Sequence, residues 1–217
     1  MMREVDAMIA LNRGGKCPNV ISYIDHSIEK DANGKRSFLI VMEHAICSFF
    51  EILNWRIDKG GQYYYYVHHT IYIMQMLING LMFAKKMSIC HRDIKPGNIL
   101  VDCGKLNMID ESDLNYKLAD WGEGKFIRAE DAGKERKHSY RGTEGYMAPE
   151  LLKYFTEQGF SKKYSEYDPF KADVYALGKV FEKLIQRTKF EQVAKKLEEK
   201  LKQDILANMV HQDALKR

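Results

Sequence analysis

The alternation of apolar and polar positions divides the chain into an early part of mixed α and β character and a later part that is mostly helical. In residues 2–12, MREVDAMIALN, Val5, Met8 and Ile9 recur at helical spacing, and RGG then predicts a stop. VISYIDHSIE (20–29) and SFLIVMEH (37–44) read as strands joined by the turn-rich KDANGKR. A short helix is expected over 47–57. A long one is expected over 63–87, opened by the run YYYY (63–66) and carrying an apolar stripe through Val67, Ile71, Met74, Ile78, Leu81 and Met82. Loops and short strands follow from 88 to 147, then helix at 148–155 and 171–187, then an amphipathic tail from 189 rich in Lys and Glu. The sequence has no internal repeat and no low-complexity segment.

Composition narrows the picture only a little. At 217 residues and 45% hydrophobic content, the chain has room for one large domain, or one lobe plus part of another. A net charge of +4 is mildly basic, far from that of a dedicated nucleic-acid binder, so neither nucleic acid nor a membrane is expected as a partner. The most apolar stretch, 67–84, contains two His, Gln and Asn and reads as a buried helix. The start, MMREVDAMIA, carries acids and lacks an apolar core, unlike a signal peptide. Cys17, Cys47, Cys90 and Cys103 are scattered without a CxxC pair, which predicts free thiols in a reducing, intracellular and cytoplasmic setting.

The chemistry concentrates in HRDIKPGNIL (91–100). Asp93 offers a carboxylate that accepts a proton or orients a hydroxyl. Lys95 neutralises a phosphate oxygen two residues later, and the amide oxygen of Asn98 ligates a hard cation such as Mg²⁺. These are the needs of phosphoryl transfer, where positioning and charge neutralisation supply most of the catalysis. A second metal-seeking carboxylate, Asp120 in KLADWG, follows a short apolar run and precedes Gly122. His91 has no further ligands at metal spacing around it.

These residues resemble the protein kinase family. HRDIKPGN (91–98) is similar to the catalytic-loop pattern H-R-D-x-x-x-x-N, DWG (120–122) to D-F-G with Trp for Phe, and APE (148–150) to the end of the activation segment. Each triplet alone is an ordinary turn or helix start; the ordered set carries the resemblance. RGTEGYMAPE (141–150) resembles the peptide-docking loop, which implies that Thr143 contacts Asp93 and Lys95; Lys95 with Thr143 resembles the serine/threonine class. KADVYALG (171–178) resembles the start of the central buried helix, with Asp173 bonded to the backbone of the catalytic loop. FLIVMEHA (38–45) resembles the strand entering the hinge. Met42 would then border the adenine pocket, backbone groups of Glu43 and Ala45 would bond the adenine edge, and Leu100 would touch its underside. Helix 2–12 would be the mobile helix of the small lobe, with Glu4 at its ion-pairing position. Met8, Tyr23, His91 and Trp121 would form a column between lobes, and Arg217 would pair with Glu150.

The resemblance implies an α+β, protein kinase-like fold, with a partial small lobe (1–45) on a mainly helical large lobe (46–217). It implies transfer of the γ-phosphoryl of ATP to a protein Ser or Thr hydroxyl. Asp93, Lys95, Asn98 and Thr143 would be the reacting set; Asn98 and Asp120 would hold Mg²⁺. A protein substrate is the expected partner, with an upstream kinase acting at Ser139 or Tyr140, beside Arg92 and the basic residues of the loop. The family's glycine-rich loop and the strand lysine that pairs with Glu4 are not found, nor is its final helix. Two readings therefore stay open: a serine/threonine kinase, or a kinase-like binding or scaffold module, or gene fragment, that binds Mg-ATP weakly.

Overall fold

The computed structural model describes residues 2–30, 32–58, 65–103, 114–139, 141–158, 164–191 and 194–217. Helix α1 (Met2–Arg13) buries Val5, Ala7, Met8 and Leu11, the spacing that a one-sided amphipathic helix requires. Asn12 ties it to the next strand: its Nδ2 donates to Tyr23 O at 2.6 Å, and Tyr23 N donates to its Oδ1 at 3.3 Å. Strands β1 (Tyr23–Lys30) and β2 (Arg36–Met42) form an antiparallel hairpin. Its register runs from Lys30 opposite Arg36 to Tyr23 opposite Met42, with a shift between Tyr23 and Asp25.

The rest of the chain is built around two buried helices. After β3 (Cys47–Ser48) come α2 (Phe49–Asp58), β4 (Tyr65–Tyr66) and α3 (Val67–Lys86). Then follow β5 (Ile89–Cys90), a 3₁₀ turn at Pro96–Asn98, β6 (Ile99–Cys103), β7 (Leu114–Leu118), β8 (Lys125–Phe126) and β9 (Arg136–Ser139). Helix α4 (Pro149–Gln158), β10 (Tyr164–Tyr167), α5 (Pro169–Gln186), β11 (Thr188–Lys189) and α6 (Lys195–Asn208) complete the order. Helix α5 starts sharply because Asp168 caps it, accepting from Phe170 N at 2.9 Å, and because Pro169 occupies its first position. Phe170, Asp173, Leu177, Val180, Phe181 and Leu184 make it a core helix. Strands β3, β6 and β7 form a three-stranded sheet with β6 in the middle, and Leu118 also bridges in parallel to Val20. Among the described residues no helix is long and apolar enough to cross a membrane, and none of the four cysteines forms a disulfide.

Two expectations need correction. The long helix begins at Val67, not at 63: Tyr65 and Tyr66 form β4, paired in parallel with Thr188 and Lys189, while Tyr63 and Tyr64 lie outside the described residues. Tyrosine favours the extended backbone of a half-buried strand, and β11 supplies the partner. The buried face of α3 is also rotated from the expected stripe. It consists of Thr70, Ile73, Met74, Met76, Leu77, Gly80, Leu81 and Ala84, whereas Ile78 is 38% and Met82 64% exposed. A Cβ on Gly80 would stand 2.5 Å from the carbonyl oxygen of Asn19, so the helix turns its small residues toward the closest backbone.

Candidate active site

The loop between β5 and β6 is fixed from below. Asp173, buried in α5, accepts His91 N at 2.6 Å on one carboxylate oxygen and Arg92 N at 2.7 Å on the other. Burial pushes its carboxyl up to about 7 against those two bonds and the Arg92 charge. Arg92 sits at φ 68°, a left-handed conformation that a non-glycine residue holds only where its surroundings impose it. That twist turns the loop so that the next side chain, Asp93, leaves the core.

Three side chains then meet at one carboxylate. Lys95 Nζ donates to Asp93 Oδ2 at 2.8 Å and to Thr143 Oγ1 at 2.8 Å; Thr143 Oγ1 donates to Asp93 Oδ1 at 2.6 Å. Asn98 Nδ2 donates to Asp93 O at 2.9 Å and to its Oδ2 at 3.0 Å. Burial acts to raise the Asp93 pKa, but the bonds from Lys95 and Thr143 and the Lys95 charge outweigh it and hold the carboxyl below the usual range. The group is an ionised acceptor at neutral pH. The Asn98 amide nitrogen is occupied, which leaves its oxygen as a ligand.

Asp120 stands at the end of β7, reached through Ala119, whose N–H donates to Asn98 O at 2.9 Å. It is exposed, at φ 59°. A Cβ on Gly122 would lie 3.3 Å from Asp120 Oδ1 and 3.7 Å from Glu4 Oε2, so both carboxylates border this glycine. Burial, then the charge of Asp120, raises the Glu4 pKa. Among the described residues no cation forms an ion pair with Glu4. Two carboxylates at one glycine, joined to the Asn98 loop through the Ala119 N–H, make up a concentration of negative charge of the kind that hard divalent cations take. No three His, Cys, Asp or Glu side chains among the described residues are grouped to hold a metal alone; Mg²⁺ characteristically completes its shell with phosphate oxygens and water.

Met42, Glu43, Ala45 and Leu100 surround the β2 end and the β6 floor, and all four are half-buried. The Glu43 N–H is taken by Ser22 O at 3.0 Å, while Ala45 makes no hydrogen bond among the described residues, which leaves its polar backbone available. The Glu43 side chain accepts from Ser22 N at 2.7 Å and from Lys117 Nζ at 2.6 Å, and Lys117 is buried. His91 and Trp121 are fully buried with ring centroids 4.6 Å apart; Met8 lies in the same core, with Tyr23 packed against it. The Trp121 indole N–H has no hydrogen-bond partner among the described residues. Arg217 Nη2 donates to Glu150 Oε1 at 2.5 Å.

Sequence reasoning missed a basic cavity of about 540 Å³ behind this loop, lined by Arg3, Arg92, Lys125, Lys137, Ser139 and Arg141, among others. Arg92 Nη1 donates to Ser139 Oγ at 3.1 Å, and Lys125 Nζ lies 2.8 Å from Nδ1 of buried His138. Arg92 next to a basic loop was the available signal; nothing local marked Lys125 or His138. Tyr140 lies outside the described residues.

A family model described as the protein kinase domain matches residues 1–216. Among curated proteins, the chain is 30% identical over 179 residues to rhodopsin kinase GRK1 of Rattus norvegicus, covering 76% of this chain and 27% of that protein. It is 29% identical over 151 residues to an Aurora kinase of Encephalitozoon cuniculi, covering 69% and 47%. To the DNA damage response protein kinase DUN1 of Saccharomyces cerevisiae it is 26% identical over 163 residues, covering 67% and 28%. The chain thus spans less than half the length of each of these relatives. With a domain match along nearly its whole length, and with the 91–98 loop and the segment carrying Thr143 joined at the Asp93 carboxylate, the chain belongs to the protein kinase family.

Proposed function

We propose that the chain is a serine/threonine kinase domain that transfers the γ-phosphoryl of ATP to a protein Ser or Thr hydroxyl. The observation that carries this is the convergence of Lys95, Asn98 and Thr143 on the Asp93 carboxylate, each within 3.0 Å. Asp93 orients the acceptor hydroxyl and takes its proton late, as a weak base suits a reaction dominated by positioning. Lys95, now bonded to Asp93 and Thr143, turns its remaining donor toward the transferring oxygens. Thr143 fixes the docking segment to the acceptor site. Met42, Leu100 and the backbone of Glu43 and Ala45 form the adenine site; Asn98 and Asp120 would hold Mg²⁺, which neutralises phosphate charge when bound. The relatives named as kinases support the class of substrate.

The test is transfer of label from γ-labelled ATP to a generic Ser/Thr protein. Asp93→Asn should reduce it by roughly 10²–10⁴-fold while leaving the melting temperature within a few degrees. Transfer by the parent that Asn at 93 leaves intact would overturn the reading. A second reading, a kinase-like module that binds without transferring, has one observation in its favour: Glu4 faces Asp120 with no cation among the described residues. It predicts weak, Mg-dependent ATP binding and no transfer, which a thermal-shift titration beside the same assay distinguishes.

We further propose that an upstream kinase acts on Ser139. Its hydroxyl already touches Arg92 in the basic cavity, where a phosphate gains charge-assisted bonds. Mass spectrometry of the protein isolated from its own cells reads this directly.

A further inference from the structure

The cavity of about 540 Å³ behind the loop between β5 and β6 gathers like charges. Arg3, Arg92, Lys125, Lys137 and Arg141 line it against a single acid, Asp6. Helix α1, that loop, β8, β9 and the docking segment each supply a cation, so the fold and not one run of sequence makes the crowding. Two of the cations have partners: Arg141 pairs with Glu123 at 2.6 Å, and Arg92 donates to Glu123 O at 2.7 Å and to Ser139 Oγ at 3.1 Å. Like charges around one cavity repel, and an anion placed among them is stabilised.

Lys125 differs from the other four in its chemistry. Its backbone is fixed: it stands opposite Cys90 of β5, whose Sγ donates to Lys125 O at 3.2 Å. Its Nζ lies 2.8 Å from Nδ1 of His138, which is buried. His138 is neutral at pH 7, so that nitrogen accepts. Burial, then the charge of Arg92, lowers the Lys125 pKa; Arg3 adds to this, and Cys90 and Asp131 oppose it. Burial keeps the Cys90 thiol protonated. A desolvated amine beside other cations is the setting in which lysine becomes a nucleophile. Lys125 is half-buried and borders the cavity, so a small electrophile reaches it.

We propose that Lys125 is a carbon dioxide site, where the ε-amine is converted to a carbamate that the surrounding guanidinium and ammonium groups hold. The Nζ lone pair forms the N–C bond while one C=O electron pair moves onto oxygen. Starting from the ammonium, two protons leave in all, and His138 Nδ1 is within reach to pass one to solvent. The side chain changes from one positive charge to one negative charge, with no oxidant, reductant or further reactant. Arg3, Arg92, Lys137 and Arg141 then face an anion in place of a fifth cation. No part of this step draws on the phosphotransfer reading.

The experiment incubates the whole chain near neutral pH with isotopically labelled bicarbonate, which supplies dissolved carbon dioxide. Carbamates are trapped by an alkylating oxonium salt and located by mass spectrometry. The labelled ester should appear on Lys125 in excess of the exposed Lys30 and Lys86, and should fall in Arg3→Ala, which removes one cation. Separately, the melting temperature should rise by roughly 2–4 °C in bicarbonate over chloride at matched pH and ionic strength. Lys125→Arg keeps the positive charge but offers no neutral amine near pH 7, so it should show no rise. Label on Lys125 no greater than on the exposed lysines overturns the inference. So does a rise in melting temperature that persists in Lys125→Arg, which marks bicarbonate held only as an ion.

Discussion

His138 shows how a single side chain is set by contacts that span the chain. Burial, then the charges of Lys125 and Arg92, pushes its pKa from 6.5 down to about 4, so it is neutral at pH 7. Its neutral form is favoured by folding. Its contribution to stability is therefore present above pH 6.5 and is lost as pH falls through the window from 6.5 to about 4. The melting temperature of the parent should fall more steeply between pH 7 and 4 than that of His138→Gln, measured by circular dichroism; equal slopes would remove His138 from that dependence. The same scale explains what the sequence disclosed. Asp93, Lys95 and Asn98 lie within six positions, so spacing alone brings them together, and Thr143 was placed by the order of motifs. Lys125 and His138 were not legible, because the cavity that Lys125 borders is closed by Arg3 and Arg92 from distant segments and His138 is buried against Lys125.

At the scale of elements, α3 illustrates where periodicity runs out. Its sequence is apolar on nearly every side, so two faces fit a 3.6-residue period and only packing chooses between them. The choice is made at Gly80. Asn19 O, 2.5 Å from a built Cβ, is itself held by Leu118 N at 2.9 Å and cannot easily retreat. Gly80→Ala gains about 1 kcal/mol of helix propensity but meets a fixed backbone oxygen, and overpacking of this kind costs about 1–3 kcal/mol. The clash should win: chemical denaturation of Gly80→Ala should give a lower midpoint than the parent, and a higher one would show that the backbone yields. Helices α1, α4 and α5 were readable because each has one apolar face or a clear cap. The short strands β3, β4, β8 and β11 were not, since two residues carry no pattern and exist only through their partners.

Across the whole molecule, the segment ending at Arg217 is tied to α4 by a pair that excludes water. The Arg217 side chain is 0% exposed, its guanidinium lies 5.2 Å from the Tyr175 ring centre, and Glu150 is its partner. Arg217→Ala leaves that carboxylate without its cation and should lower stability by about 3 kcal/mol, a large share of an ordinary domain's total of roughly 5–15 kcal/mol. Adding Glu150→Gln should restore part of the loss in the same melts. A different strut runs through the other half of the molecule. Glu43, beside the adenine edge of the proposed site, grips buried Lys117, and three residues further along β7's continuation stands Asp120. On the proposed reading the base and the cation would sit at the two ends of this one strand, and any coupling between them would be reciprocal, each tightening the other by the same factor.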